Sequence, residues 1–165
     1  MTAAVERRPL ILLDIDGVIH DREAMREIRL SHDPEATATR LDVNVVVSYG
    51  HRLAFPSYMP VLIQRLNDAA EIWWCTTWRH RANDDIREHL GIEDLAVIDD
   101  GTRAVGLEWK VAAATPLIED ALAAGRAVYW IEDFRGTFPE IDGVTCIDTT
   151  NAGILRHEDI LPTLR

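Results

Sequence analysis

Two aspartates stand at the end of the first apolar segment, in the order Asp14-Ile15-Asp16-Gly17. The run before them is continuously apolar, which is typical of a strand buried on both faces. Because side chains alternate along a strand, Asp14 and Asp16 point to the same side, and two carboxylates crowd one place. A hard cation such as Mg²⁺ compensates such a pair, since it prefers oxygen ligands. A solvated pair of acids before a turn is the alternative that this spacing leaves open.

A second acidic pair, Glu132 and Asp133, follows another apolar run at Ala127–Ile131. The ends of neighbouring parallel strands lie about 5 Å apart. An acid at this position can therefore complete a coordination sphere that Asp14 and Asp16 begin.

Hydroxyl and ammonium groups occur at two further places where helices are predicted to begin. Thr76 and Thr77 follow an aromatic run, and a hydroxyl beside free backbone N–H groups can hold an anion there. Lys110 begins a later helix, where a cation opposes the helix dipole unless a negative group lies nearby. For each residue taken alone the ordinary alternative is commoner, namely a helix cap for Thr76 and a solvated surface lysine for Lys110.

Apolar runs alternate with helical segments along the chain. Strands are predicted within Pro9–Val18 and at Glu71–Cys75, Leu95–Ile98, Ala127–Ile131 and, more weakly, Val144–Ile147; helices are predicted at Pro60–Ala70, His80–Leu90 and Trp109–Ala124. Parallel neighbours need crossovers, and right-handed crossovers place helices on both faces of a sheet. The predicted fold class is therefore α/β, with a doubly wound, mainly parallel sheet. Ligands in such sheets bind at the carboxyl ends of the strands, where the residues above are expected to meet.

The stretch 19–57 interrupts this alternation between the first strand and its returning helix. Val43–Ser48 and Arg52–Phe55 are predicted to pair as a β-hairpin. Asp21–Ser31 is charged, and only marginal helicity is predicted for it. We expect a small flap over the site, too short for an independent cap domain. Residues 1–165 are thus predicted to form a single domain, with residues 1–8 as a loose arm.

Composition restricts the partners of the chain. Its 165 residues carry 17 Lys plus Arg against 28 Asp plus Glu, a net charge of −11. This charge argues against broad contact with a nucleic-acid backbone or an anionic membrane, although a local basic pocket remains compatible with it. The apolar runs are too short to cross a bilayer. Cys75 and Cys146 are expected to be buried, reduced thiols, so we predict a cytoplasmic protein.

Several aromatic and basic residues have structural interpretations. Trp73, Trp74 and Trp130 lie in predicted strands and are expected to be core residues. Trp78 and Arg79 follow the threonines and can reach a substrate, although Arg79 can equally pair with a surface acid. The histidines His20, His51 and His80 have no metal-ligand spacing, and no ligand role is expected for them.

The set and order of these groups resemble the haloacid-dehalogenase-like (HAD) phosphatase superfamily. The matching positions are the D-x-D-G at Asp14, then Thr76, Lys110 and the acidic pair Glu132-Asp133. The resemblance extends from Leu10 to about Phe134. The segment Trp73–His80 is similar to a small-cap subgroup with aromatic strands, which is sometimes associated with nucleic-acid repair proteins.

The resemblance implies a role for each acid. Asp14 is the expected nucleophile, which forms an aspartyl-phosphate, and Asp16 is the expected general acid and base. Both help to hold Mg²⁺, Asp16 through its backbone carbonyl. Asp133 and Glu132 are expected to complete the metal site, with Asp133 favoured as the direct ligand; the chain has Glu-Asp here where Asp-Asp is more usual.

The resemblance also implies how phosphate is bound. Thr76 is expected to contact the transferring phosphoryl group, and Lys110 to neutralise its oxygens and the Asp14 carboxylate. Thr77 stands where glycine or asparagine is more common, and it narrows the room beside the phosphate. The implied function is a Mg²⁺-dependent phosphomonoester hydrolase.

Two other classes of protein remain as alternatives. One is a phosphoacceptor signalling domain, although there the phosphorylated Asp closes a middle strand and the metal-binding acids close the first. The other is a catalytically silent HAD-like binding protein, against which the complete set of charges argues. For an enzyme, a small phosphate ester or nucleotide is favoured over a polynucleotide because of the net charge. Oligomeric state is not predicted.

Overall fold

A five-stranded parallel sheet forms the centre of the computed structural model, which describes residues 7–164. The strands are β1 Leu10–Leu13, β4 Glu71–Trp74, β5 Ala96–Val97, β6 Val128–Glu132 and β7 Val144–Asp148. Their order is β5-β4-β1-β6-β7, and each pair is parallel. Strand order therefore reverses at β1, so the carboxyl end of β1 lies at the switch point where doubly wound sheets bind ligands. The predicted fold class is confirmed.

The central strand β1 is buried on both faces, as its continuous apolar run predicts. Leu10 and Leu12 pack with helix α5, Leu107–Ala123, on one face of the sheet. Ile11 and Leu13 pack with helix α3, Met59–Ala69, on the other. All four side chains are fully buried. Successive residues of one strand thus anchor two separate helical layers.

The helix predicted at His80–Leu90 is wrong in its first half. A 3₁₀ helix spans Arg79–Asn83, and α4 begins only at Asp85 and ends at Leu90. The side chain of Asn83 accepts hydrogen bonds from the Trp74 indole N–H and the Leu95 backbone N–H, and it donates to the Leu95 carbonyl. These contacts connect Asn83, the last residue of the 3₁₀ helix, to β4 and to the residue before β5. The last described elements are a short helix, α6, at His157–Ile160 and a 3₁₀ helix at Leu161–Leu164.

The insert between β1 and α3 contains more regular structure than its sequence suggests. Helix α1 spans Arg22–Leu30, helix α2 spans Pro34–Arg40, and β2 Val43–Ser48 pairs antiparallel with β3 His51–Pro56. The hairpin is confirmed, whereas the marginal helicity expected for Asp21–Ser31 is wrong. The Asp21 carboxylate caps α1 by accepting from the Ala24 N–H, and an apolar stripe of α1 is buried. Capping and burial together offset the high charge of the segment.

The insert packs on the sheet through its second strand. Leu53 and Phe55 belong to the same buried cluster as the α3 face of the sheet. Ala54 faces the opposite way and packs with Met25 and Ile28 of α1. Strand β3 therefore connects the insert to the core.

The remaining expectations have mixed outcomes. Trp74 and Trp130 are fully buried and Trp73 is partly buried. Cys75 is a buried free thiol, but Cys146 is only partly buried because it lies in edge strand β7. Residues 1–6 of the predicted arm lie outside the described residues. Within residues 7–164, no helix has the length and apolarity needed to span a membrane.

Candidate active site

A cavity of about 280 Å³ opens at the carboxyl edge of the sheet, around the end of β1. It is lined by residues from the end of β1, the insert, the start of α5 and the loop after β6. The lining residues are Asp14, Asp16, Arg22, Thr77, Gly106, Leu107, Lys110, Glu132, Asp133, Phe134, Arg135 and Thr137. The edge predicted from the sequence is thus where most of the candidate residues converge.

Lys110 lies at the centre of the buried part of the cavity. Its Nζ is 3.2 Å from Asp14 Oδ1 and 2.9 and 2.7 Å from the two carboxylate oxygens of Glu132. The three side chains are each less than a tenth exposed. The first turn of α5 places the ammonium against the ends of β1 and β6. Lys110 is therefore a buried group with two acidic partners and not a solvated surface lysine.

Burial and charge act in opposite directions on this cluster. Burial and the nearby Asp14 carboxylate raise the pKa of Glu132 to about 9. Burial disfavours the charged form of Lys110, but the carboxylates of Asp14 and Glu132 raise its pKa above the ordinary value. Asp14 and Glu132 thus compete for one ammonium, and this competition disfavours the ionised form of Glu132.

Asp133 lies at the mouth of the cavity, between the insert and the core. Its Oδ2 is 3.2 Å from Nη1 of Arg22 and 3.3 Å from Nε of Arg135. Burial raises the pKa of Asp133. A Cβ added to Gly17 would lie 2.8 Å from Asp133 Oδ2, so the glycine of D-x-D-G leaves the space that this carboxylate occupies. Gly17 also has a φ of +75°, which a glycine adopts without strain.

The acidic side chains fit a hard divalent cation. Oxygens of Asp14, Glu132 and Asp133 all lie within 4.8 Å of one another. Carboxylate oxygens are the ligands that such a cation prefers, and a cation placed between them would favour the ionised form of the buried acids. Both oxygens of Glu132 contact Lys110, whereas the ion pairs of Asp14 and Asp133 each involve one carboxylate oxygen.

Asp16 stands outside this acidic cluster and has different partners. Its Oδ2 accepts a hydrogen bond of 3.0 Å from the Trp78 indole N–H. Its Oδ1 lies 4.0 Å from Nε2 of His20. The His20 Nδ1 lies 3.0 Å from the Ala54 nitrogen and 3.2 Å from the Ala54 carbonyl oxygen, so it can accept from the first or donate to the second. Burial lowers the pKa of His20, so the neutral ring is favoured.

The two threonines lie differently. Thr76 is fully buried, and its hydroxyl accepts from the Trp78 N–H at 3.3 Å, as in a short local turn. Thr77 is exposed and lines the cavity beside Asp14 and Asp16. Thr77 is thus the threonine whose side chain is open to a ligand, whereas phosphate binding by Thr76 stays a prediction.

Some site residues were not identified from the sequence. Arg22 and Arg135 contact Asp133, and the indole N–H of Trp78 contacts Asp16. Of the three, the sequence indicates only Trp78 as a residue able to reach substrate. Arg22 belongs to the insert, and no motif marks it. Arg79 is not free: it pairs with Asp99 and Asp100 and stacks 4.1 Å above the Trp109 ring. It holds the loop before α5 in place.

The sheet order and this charged edge correspond to the HAD-like class of hydrolases and phosphatases. A model of one family within that class, described as "HAD domain in Swiss Army Knife RNA repair proteins", matches residues 10–159. The chain belongs to this family, and the HAD-like resemblance is confirmed. Membership indicates a hydrolase or phosphatase acting on a phosphorylated substrate. The curated proteins contain no match to the chain.

Proposed function

We propose that this protein is a Mg²⁺-dependent phosphomonoester hydrolase that works through an aspartyl-phosphate on Asp14. The observation that carries the proposal is the buried contact of Lys110 with Asp14, at 3.2 Å, beside the Asp133 carboxylate. A phosphate dianion approaches a carboxylate only where positive charge cancels their repulsion. Lys110 supplies part of that charge at the carboxylate itself.

The two steps assign separate tasks to Asp14 and Asp16. In the first, a carboxylate oxygen of Asp14 forms a bond to phosphorus while the bond to the leaving oxygen breaks, and Asp16 gives that oxygen a proton. In the second, Asp16 takes a proton from water, whose oxygen attacks phosphorus. Inorganic phosphate leaves, and the Asp14 carboxylate is regenerated.

Asp14, Asp133 and the backbone carbonyl of Asp16 would hold the Mg²⁺ ion. Bound there, the ion would neutralise charge on the phosphoryl oxygens. We assign Glu132 to positioning Lys110, because both of its oxygens contact the ammonium. Thr77 lines the cavity and is the better placed of the two threonines to contact phosphate.

The family description favours a nucleic-acid substrate. It names RNA repair proteins, so the preference for a small substrate that the net charge of −11 suggested has no support from the family. A phosphorylated RNA end therefore joins nucleotides and other phosphate esters as a candidate substrate. Net charge describes the whole surface, whereas binding depends on the charge beside the site.

Asp14→Asn tests the chemistry, because it removes the nucleophile and nearly conserves side-chain volume. We expect hydrolysis of an aryl phosphate with Mg²⁺ to fall by at least about a thousandfold, the order of loss when a reacting group is removed. A chelator should stop the parent enzyme, and added Mg²⁺ should restore it. Asp120→Asn, on the exposed side of α5, is the control and should match the parent.

The aspartyl-phosphate separates the three classes of protein. A phosphatase forms it and hydrolyses it within seconds, a signalling domain retains it, and a silent protein forms none. Metal-independent hydrolysis, or full activity of Asp14→Asn, would contradict the proposal.

A further inference from the structure

A second depression adjoins the catalytic cavity on the side of the insert. This depression, the arginine groove, has a volume of about 380 Å³. Its lining residues are Asp16, His20, Arg29, His51, Arg52, Leu53, Thr77, Trp78 and Arg81. Asp16 and Thr77 line both the groove and the catalytic cavity, so the two depressions adjoin at these residues.

Three arginines of this groove have no acidic partner. Among residues 7–164, no carboxylate forms an ion pair with Arg29, Arg52 or Arg81, although 28 acidic residues outnumber the basic ones in the chain. By contrast, Arg22 and Arg79 beside the cavity are both paired. Cations left unpaired in one groove of an acidic protein are available to bind an anionic ligand.

An aromatic wall accompanies these arginines. The rings of His51 and Trp78 meet edge to face, with centroids 5.5 Å apart. Arg81 stacks 4.9 Å above the Tyr49 ring, whose hydroxyl donates to Asp84. These contacts restrict Trp78 and Arg81 before any ligand binds. Arginines interleaved with aromatic rings are the surface that binds phosphates and bases of a single strand.

The position of Asp16 indicates which part of a substrate would face the groove. The proposed general acid must touch the leaving oxygen, so the leaving group lies against Asp16. Asp14, Lys110 and Asp133 line the catalytic cavity but not the groove, whereas Asp16 lines both. The Trp78 indole N–H holds Asp16 at 3.0 Å, at the junction of the two. The groove therefore receives what remains after the phosphoryl group is transferred.

We propose that the arginine groove is a leaving-group subsite for the terminal nucleotide of a phosphorylated single strand, with its base against the Trp78 wall and the next phosphodiester against the arginines. This inference rests on the proposed function, because it uses Asp16 as the acid. The scissile phosphate already has Lys110. The three arginines of the groove can bind negative charge in addition to that phosphate. An oligonucleotide carries such additional charge in its phosphodiesters, whereas a nucleoside monophosphate does not.

The test compares three kinds of substrate: single-stranded oligonucleotides phosphorylated at the 5′ end or at the 3′ end, a nucleoside monophosphate and an aryl phosphate. Arg29→Gln and Arg52→Gln are each expected to lower kcat/KM for the oligonucleotide by roughly tenfold, the size of one charge-assisted contact. The loss for the monophosphate and the aryl phosphate should be much smaller. Arg65→Gln, on exposed α3 and outside the groove, is the matched control and should match the parent on all three.

Binding is measured separately from turnover, by fluorescence anisotropy of the labelled oligonucleotide with Asp14→Asn. Each groove substitution should weaken binding and reduce the slope of log K against log salt by about 0.7, the value for one phosphate contact on a single strand. Equal losses on all three substrates, or an unchanged salt slope, would overturn the inference. Absent hydrolysis of every substrate would refute the proposed function instead, while arginine-dependent binding of the strand would still support the groove.

Discussion

Glu132 and Asp133 are neighbours in the chain but contact different partners. Glu132 is the last residue of β6, and its carboxylate lies on the Lys110 ammonium. Asp133 leaves the strand and lies against Gly17 and Arg22 at the cavity mouth. Because neighbouring residues point in opposite directions at a strand end, one acid contacts the ammonium, and the other is the one that the proposed function assigns to the metal.

Gly17→Ala should damage the site through Asp133. The new Cβ would lie 2.8 Å from Asp133 Oδ2, so the carboxylate must shift from its place near Asp14. We expect a severalfold higher Mg²⁺ requirement for aryl phosphate hydrolysis, measured by metal titration. The positive φ adds a stability cost of about 1 kcal/mol.

Gly125→Ala separates these two effects. Gly125 has a φ of +72° but nothing within 4 Å of the position of an added Cβ. This control should lose similar stability and keep the Mg²⁺ requirement of the parent. Equal Mg²⁺ requirements in both variants would contradict the role given to Gly17.

At the scale of elements, the insert also meets helix α4. The Phe55 ring of β3 and the His89 ring of α4 have centroids 5.0 Å apart. Burial lowers the pKa of His89, and its buried Nε2 has no hydrogen-bond partner among the described residues. The neutral ring is therefore the form that packs between the two elements.

Acidification should weaken this contact. The unfolded chain takes up the His89 proton near pH 6.5, whereas the folded chain takes it up only at lower pH. Stability is thus fully present above about pH 6.5 and is lost as the pH falls through the lower pKa of the folded state. His89→Phe keeps a ring against Phe55, so its thermal midpoint should fall less than that of the parent between about pH 7.5 and pH 5.5.

His32→Phe serves as the control at an exposed position between α1 and α2. Its midpoint should fall with pH as much as that of the parent. If His89→Phe behaves in the same way as this control, His89 does not contribute to the pH dependence.

At the scale of the molecule, the insert and the sheet share one buried cluster. Phe55 is fully buried among residues of β1, α3 and α4. An insert that folded independently of the sheet would instead need a separate hydrophobic core. We propose that the insert and the sheet unfold as one domain.

Phe55→Ala should destabilise the whole protein by about 3–5 kcal/mol, because it removes a large buried ring and leaves a cavity. Urea unfolding should stay a single transition by tryptophan fluorescence and by circular dichroism. Val47→Ala, on exposed β2, should change the unfolding free energy by less than about 0.5 kcal/mol. Two separate transitions, or loss of activity before the fluorescence change, would show that the insert unfolds independently.

The sequence by itself determined the sheet and the identity of the main acids. Apolar runs of β1, β4 and β6 can be buried only in a sheet covered on both faces, and the polar residues that follow them must then meet at its carboxyl edge. Asp14 and Asp133 follow from this rule, whereas Lys110 begins a predicted helix and is connected with the acids only by the family resemblance. The helix α1 was underestimated because its charged residues conceal a narrow apolar stripe that matters only when it packs on β3.

Only the tertiary structure decided how each group is partnered. The pairing of Glu132 with Lys110, the contact of Trp78 with Asp16 and the ion pair of Arg22 with Asp133 each join residues far apart in the chain. The arginine groove likewise joins α1, β3 and the segment after β4, so a net charge of −11 could not reveal it. Local patterns report what a side chain is and which face it occupies, whereas electrostatic partners depend on distances that exist only in the folded chain.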